Sequence, residues 1–186
     1  EQATEEMQRF GGSAALHEPY MEATIRDLFR KRAIWLVVLF LGGIVTATAL
    51  TYFERIIDSA VILAILLPMI ISNGGNSGSQ AATLIVRALA LGEVTLSDWW
   101  TIVRREFIVG LMLGFMLGVL GFARIVIWAA LDGTFGIVSI LLGFVVFLSL
   151  VAIVTAGAVT GSVLPLVMKW LGFDPAASSA PFIATF

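Results

Sequence analysis

The 186-residue sequence contains no cysteine, a single histidine and few charged residues. The absence of cysteine excludes disulfides, thiolate nucleophiles and thiolate metal sites. Charged residues make up 13% of the chain and hydrophobic residues 59%, well above the ~45–50% of an ordinary soluble domain. No basic, aromatic-rich stretch of the kind that binds nucleic acid is present, so no nucleic-acid partner is expected. This composition predicts an all-α integral membrane protein in contact with lipid.

Four long hydrophobic runs are separated by short polar segments. Because about 20 apolar residues cross a bilayer, we expect spans at about 33–53, 59–90, 107–128 and 135–168. A further run, 176–186, is too short to cross, so we expect a five-span helical bundle whose fifth span is incomplete in a truncated sequence. The transmembrane domain is thus predicted to cover 33–186. Residues 1–32 are predicted to form a cytoplasmic linker with an amphipathic helix in its second half.

Basic residues are concentrated before the first and third predicted spans and after the fourth. Arg104 and Arg105 precede span three, and Lys169 follows span four. Because Lys and Arg accumulate in cytoplasmic loops, this pattern predicts a multi-pass protein of the cell membrane with its N-terminus in the cytoplasm.

The second hydrophobic run is interrupted by the sequence SNGGNSGSQ at 72–80, which we call the polar insert. As one helix, residues 59–90 would be ~48 Å long, which exceeds the ~30 Å hydrocarbon core. We therefore expect this helix to tilt, protrude or break, with the break in the polar insert. Irregular backbone at membrane depth survives only where it lines water or is covered by protein.

Uncharged oxygens at membrane depth are typical of ion pathways, and hard cations such as Mg²⁺ prefer oxygen ligands. The candidate pathway residues of the polar insert are Asn73, Gly74, Gly75, Asn76, Gly78 and Gln80. The alternative interpretation is a polar seam in which the Asn and Gln side chains only hydrogen-bond between helices.

Further polar residues could line the pathway or its mouths: Thr155, Thr160, Ser162, Glu54, Asp58 and Arg87. Each has a simpler alternative. The hydroxyls could bond back to their own helix, the two carboxylates could be solvated turn residues, and Arg87 could extend to the inner interface.

No Asp or Glu lies within the first four predicted spans. A cation in low dielectric requires negative charge nearby, so the charge must come from elsewhere. The possible sources are the membrane rims, the ion's own waters, a partner subunit and the missing part of the fifth span. Of these, we expect the fifth span to supply the charge. Separately, Gly110, Gly114 and Gly118 form a GxxxGxxxG face on span three, which predicts close approach of another helix.

The stretch PMIISNGGNSGSQAATLIVRALALGEV, Pro68 to Val94, resembles the second transmembrane helix of the MgtE family of magnesium transporters and channels. The shared pattern is GGN-x-G-x-Q followed by VRALALGE, and EEMQRFGG and GFDPAASSAPFIAT also resemble family segments. The resemblance implies a homodimer of five-helix units with a pathway for hydrated Mg²⁺ at the subunit interface. Mn²⁺, Co²⁺ or Ca²⁺ are alternative ions. It also implies CBS-type sensor domains, which this chain lacks, and an acidic residue beyond Phe186.

We therefore expect divalent cation transport, with two alternatives. A non-transporting membrane scaffold would explain the GxxxGxxxG face but not the polar insert. An intramembrane enzyme would need a base beside Ser77 or Ser79, yet the lone His17 lies in the polar N-terminal segment and no Lys lies within a predicted span. We accordingly predict that the chain is not an enzyme.

Overall fold

The computed structural model describes Met21, residues 24–54, residues 61–172 and Pro175. These residues form four long α-helices and one short 3-10 helix, without a strand among them, so the all-α prediction is confirmed. The helices are α1 (Ile25–Tyr52), α2 (Val61–Ala90), α3 (Trp99–Leu131) and α4 (Ile137–Trp170), with the 3-10 helix Leu96–Asp98 directly before α3. The predicted span at 176–186 and the candidate residue Asp58 lie outside the described residues, and the five-span bundle and the dimer stay predictions.

α1 and α3 extend well beyond the predicted spans, because hydropathy marks the part of a helix that suits hydrocarbon and not the helix ends. α1 begins at Ile25, so part of the predicted linker helix and the first span form one helix. α3 begins at Trp99 instead of residue 107, so the second half of the predicted polar connection is helical. The connection between α2 and α3 is correspondingly shorter than expected.

Local capping interactions set the helix ends. Thr24 accepts a hydrogen bond from the backbone N–H of Asp27 at 3.2 Å and so caps the start of α1. Before α3, the backbone N–H of Thr95 donates to Asp98 Oδ2 at 2.9 Å. α2 and α3 are followed by Gly92 and Gly133, both with φ of 69°, the left-handed conformation that glycine adopts at helix C-termini.

α4 lies between α2 and α3 and packs against both. On α3, the predicted glycine face forms the contact with α4, because a Cβ built on Gly114 would lie 2.8 Å from Val151 Cα. Gly110 and Gly118 approach Thr155 and Phe147 in the same way. The prediction that this face admits another helix closely is therefore confirmed, and the partner is α4 of the same chain.

Two clusters of buried apolar side chains fix the three packed helices. The first consists of Ile70, Ile125, Val146 and Leu150. The second joins the C-terminal halves of α2 and α4 to the first turns of α3, and it consists of Ile85, Leu89, Ile102 and Leu166. α4 therefore runs parallel to α2 and antiparallel to α3.

Two helices of the described chain are long and apolar enough to cross a membrane. They span Leu96–Leu131, with a mean hydropathy of 2.1, and Ile137–Trp170, with a mean hydropathy of 3.1. Only 28% of the most apolar window of each is buried, so their remaining apolar surface faces outward. α1 contributes a shorter apolar stretch, Leu36–Tyr52, whose side chains are also largely exposed.

Candidate functional site

The polar insert is fully helical. Residues 72–80 lie inside α2, and φ is positive in none of them. The expectation that the helix breaks in the insert is therefore wrong. Glycine lowers helix propensity by ~1 kcal/mol relative to Ala, but a backbone in hydrocarbon must satisfy its own hydrogen bonds, which favours an unbroken helix.

One face of the polar insert packs against α4 through glycine. Gly74 and Gly78 are buried, and they lie against Gly157 and Gly161 of α4. A Cβ built on Gly161 would lie 2.7 Å from the Cα of Gly78, and one on Gly157 would contact the Gly74 carbonyl oxygen. The carbonyls of Gly74 and Gly78 are therefore covered by α4. They do not point to open space, as a pathway lined by glycine carbonyls would require.

Ser77 lies on the same packed face and hydrogen-bonds across it. Its hydroxyl donates to the carbonyl oxygen of Val154 on α4 at 3.0 Å, and the side chain is 8% exposed. Ser77 was considered from the sequence only as a nucleophile. Its structural role was signalled by small residues at helical spacing, at positions 74, 77, 78, 81 and 82.

A second face of the insert is exposed and polar. Asn76, Gln80 and Thr83 are exposed there, and we call these three residues the outward polar face. Next to it is a shallow depression of about 440 Å³ lined by Ser79, Gln80, Thr83 and Leu84. Arg87, also exposed, follows Thr83 by one turn, so the line of polar side chains continues to the C-terminal end of α2.

Two other insert residues lie between the two faces. Gly75 and Asn73 are half-buried. The Asn73 side-chain amide donates to the carbonyl oxygen of Met69 in its own helix at 2.8 Å. The structure thus divides the six predicted insert residues: Asn76 and Gln80 are exposed, Asn73 and Gly75 are partly covered, and Gly74 and Gly78 pack against α4.

The candidates on α4 are largely committed to local contacts. Thr155 is buried where α4 meets Gly110 of α3, and its hydroxyl donates to the carbonyl oxygen of Val151 at 2.6 Å. Ser162 is fully buried and bonds to Val159 at 2.8 Å. These are the back-bonding geometries weighed above. Thr160 is half-buried, and Glu54 is exposed just after α1.

Sequence reasoning overlooked Glu106. It lies within α3 as observed, between Ile102 and Gly110 on the stripe that faces α4, and it is half-buried. The statement that no carboxylate lies in the first four spans thus holds for 107–128 but not for the observed helix. Across the described ranges, no group of three or more His, Cys, Asp or Glu side chains is placed to hold a metal ion.

Comparison with known proteins identifies the family. Residues 67–186 match the MgtE family model, described as a divalent cation transporter. The chain belongs to the MgtE family. Because this is a family of transporters, the prediction that the chain is not an enzyme is confirmed, as is its assignment to a membrane protein.

Curated MgtE relatives match most of the chain. The magnesium transporter MgtE of Thermus thermophilus is 39% identical over 184 residues, 99% of this chain and 39% of the relative. Those of Enterococcus faecalis and Bacillus subtilis are 32% and 30% identical over 155 residues, 83% of this chain. The chain spans about two-fifths of the length of the Thermus relative and about one-third of the other two.

Proposed function

We propose that this chain is the membrane part of a Mg²⁺ transporter in which the outward polar face of α2 lines the ion pathway at the interface of a homodimer. Three relatives that match most of the chain are named magnesium transporters. The proposal assigns the ion to Asn76, Gln80 and Thr83, since the insert glycines Gly74 and Gly78 pack against α4. The Thr83 hydroxyl donates to the carbonyl oxygen of Ser79 at 2.8 Å, but unlike Thr155 and Ser162 it is exposed, and its oxygen can still accept a hydrogen bond.

The observation that carries the proposal is that Asn76 and Gln80 are exposed. They lie in a polar insert that has apolar, membrane-type sequence on both sides in the same helix. Amide groups at membrane depth require water or protein partners, because lipid offers no hydrogen bonds. Among the described residues, α4 covers the glycine face of the insert and leaves Asn76 and Gln80 exposed. A second copy of the chain together with a water-filled pathway would satisfy the exposed amides.

The chemistry of this face fits a hydrated divalent cation. Mg²⁺ dehydrates reluctantly and usually keeps several waters. Amide and hydroxyl oxygens can accept hydrogen bonds from those waters without replacing them. Asn76 and Thr83 lie seven residues apart in α2, so the polar face is ~10 Å long at 1.5 Å per residue. That length suits successive contacts with an ion in its water shell.

The direct test is divalent-ion flux into liposomes that contain the purified protein. We expect Mg²⁺ uptake above that of empty liposomes, with Mn²⁺, Co²⁺ and Ca²⁺ compared as competitors. A protein that folds, inserts and carries no divalent ion would be a membrane scaffold, and the proposal would be rejected.

Asn76→Ala tests the assignment of the pathway. We expect at least about a tenfold loss of Mg²⁺ flux, because a hydrogen bond to a charged species contributes ~1.5–3 kcal/mol and 1.4 kcal/mol corresponds to tenfold. Thr48→Ala is the control, since Thr48 bonds to Ile44 within α1 at 2.8 Å. Equal flux in the two variants would place the pathway elsewhere in the protein.

A further inference from the structure

Ser77 lies in the polar insert but on its buried face, where the proposed pathway does not use it. Its hydrogen bond to Val154 joins residues 77 positions apart and connects two helices. The hydroxyls of Thr83, Thr155 and Ser162 instead bond to carbonyls of their own helices. Ser77 therefore fixes α2 to α4, whereas these neighbours do not.

Glycine contacts flank this hydrogen bond. Gly74, one turn before Ser77, and Gly78, directly after it, lie against Gly157 and Gly161 of α4. Small residues let helix backbones approach closely, but glycine has no side chain that interlocks with a neighbour to select one rotation of the helix. A hydrogen bond is directional, so within the polar insert Ser77 supplies a rotational constraint that the glycines lack. This adds to the constraint from buried side chains elsewhere on α2, which are Ile70, Ile85 and Leu89.

The rotation of α2 determines which insert residues are exposed. At 3.6 residues per turn, Asn76 and Gln80 lie about 100° and 60° from Ser77, on the same side of the helix. A turn of α2 by about that angle would move these amides into the contact with α4 and move Ser77 out. The position of the amides thus depends on what holds the helix at its observed angle.

We propose that Ser77 is a positioning residue of the polar insert, which through Val154 holds α2 at the rotation that keeps Asn76 and Gln80 outside the contact with α4. The consequence for ion flux rests on the proposed function, but the orientation of the helix does not.

Distances between spin labels test the orientation without reference to transport. The sequence has no cysteine, so Leu84→Cys on α2 and Leu148→Cys on α4, which are 59% and 62% exposed, can be labelled specifically. Labelled protein is diluted with unlabelled protein in lipid, so that each particle carries one labelled chain. We expect Ser77→Ala to broaden or shift the distance distribution.

Ser139→Ala is a closely matched control. Ser139 is 7% exposed, and its hydroxyl donates to a backbone carbonyl, that of Thr134, at 3.2 Å. This bond lies at the turn between α3 and α4, away from the polar insert. A purely stabilising role for Ser77 would lower the melting temperature of both serine variants and leave the distances unchanged in both. That result would overturn the proposal.

Ion flux provides the second measurement. With Ser77→Ala, we expect the ratio of Mg²⁺ to Ca²⁺ flux to fall about threefold. The reason is that loss of one average hydrogen bond between membrane helices changes the population of the observed helix orientation by about that factor. Ser139→Ala should leave the ratio unchanged. An unchanged ratio in Ser77→Ala, in protein that transports, counts against positioning. Absence of flux in the unsubstituted protein would reject the proposed function. The spin-label distances would still decide the role of Ser77.

Discussion

At the scale of single residues, two asparagines three positions apart in the same insert have different surroundings. The amide nitrogen of Asn73 is bonded to Met69 of its own helix, and the residue is half-buried. Asn76 is exposed. Both were assigned to the pathway because they are the same residue type, but only coordinates distinguish an amide bonded within its helix from one that is exposed.

The pair Asn73→Ala and Asn76→Ala makes this difference measurable. We expect Asn73→Ala to reduce Mg²⁺ flux by about fivefold or less, because the residue is half-buried, its amide nitrogen is already bonded within α2, and a neutral hydrogen bond contributes only about 1 kcal/mol. The loss in Asn76→Ala should be larger. Flux in proteoliposomes, normalised to inserted protein, makes the comparison, and a greater loss in Asn73→Ala would contradict this assignment of the two residues.

At the scale of helices, the sequence predicted the presence of each helix better than the residues at which it begins and ends. The apolar runs and the GxxxGxxxG face predicted helices at the right places and one close contact. The start of α3 at Trp99 was missed because Trp99 to Glu106 is polar enough to resemble a connection. The unbroken α2 was missed because the expected break was argued from the length of the run and its polar insert, without the glycines of α4 that pack against Gly74 and Gly78.

The contact between α3 and α4 can be tested with a single methyl group. Gly114→Ala would place a Cβ 2.8 Å from the Cα of Val151, so the helices must separate. We expect a loss of ~1–3 kcal/mol in the free energy of unfolding, typical of overpacking. Gly43→Ala in α1 is the control, since a Cβ there meets nothing within 4 Å. The measurement is the melting temperature in detergent. An equal decrease in both variants would show that the loss of stability does not come from this contact.

At the scale of the whole molecule, the described helices leave one polar surface without a partner. α2, α3 and α4 pack together and leave the outward polar face of α2 exposed. The apolar surface of α3 is also exposed, but lipid suits it. The two surfaces therefore predict different neighbours, with a second copy of the chain at α2 and lipid at α3.

Cross-linking between copies tests this assignment. We expect Gln80→Cys in membranes to give a product of twice the 20.0 kDa chain mass with a short bis-maleimide. Met116→Cys, on the lipid-facing side of α3 and 52% exposed, should remain monomeric on the gel. The reverse pattern would place the dimer interface at α3 and remove the homodimer from the proposed pathway.

The glycine contact between α2 and α4 also has a mechanical consequence. Interlocked side chains resist sliding, because each must change rotamer to pass its neighbour. Gly157 and Gly161 meet backbone atoms of Gly74 and Gly78, and the Ile153 side chain of α4 also packs against Gly74. At the glycines, a small axial shift of α2 along α4 would require few side chains to change rotamer. The hydrogen bond from Ser77 to Val154 would then favour one axial position of the two helices.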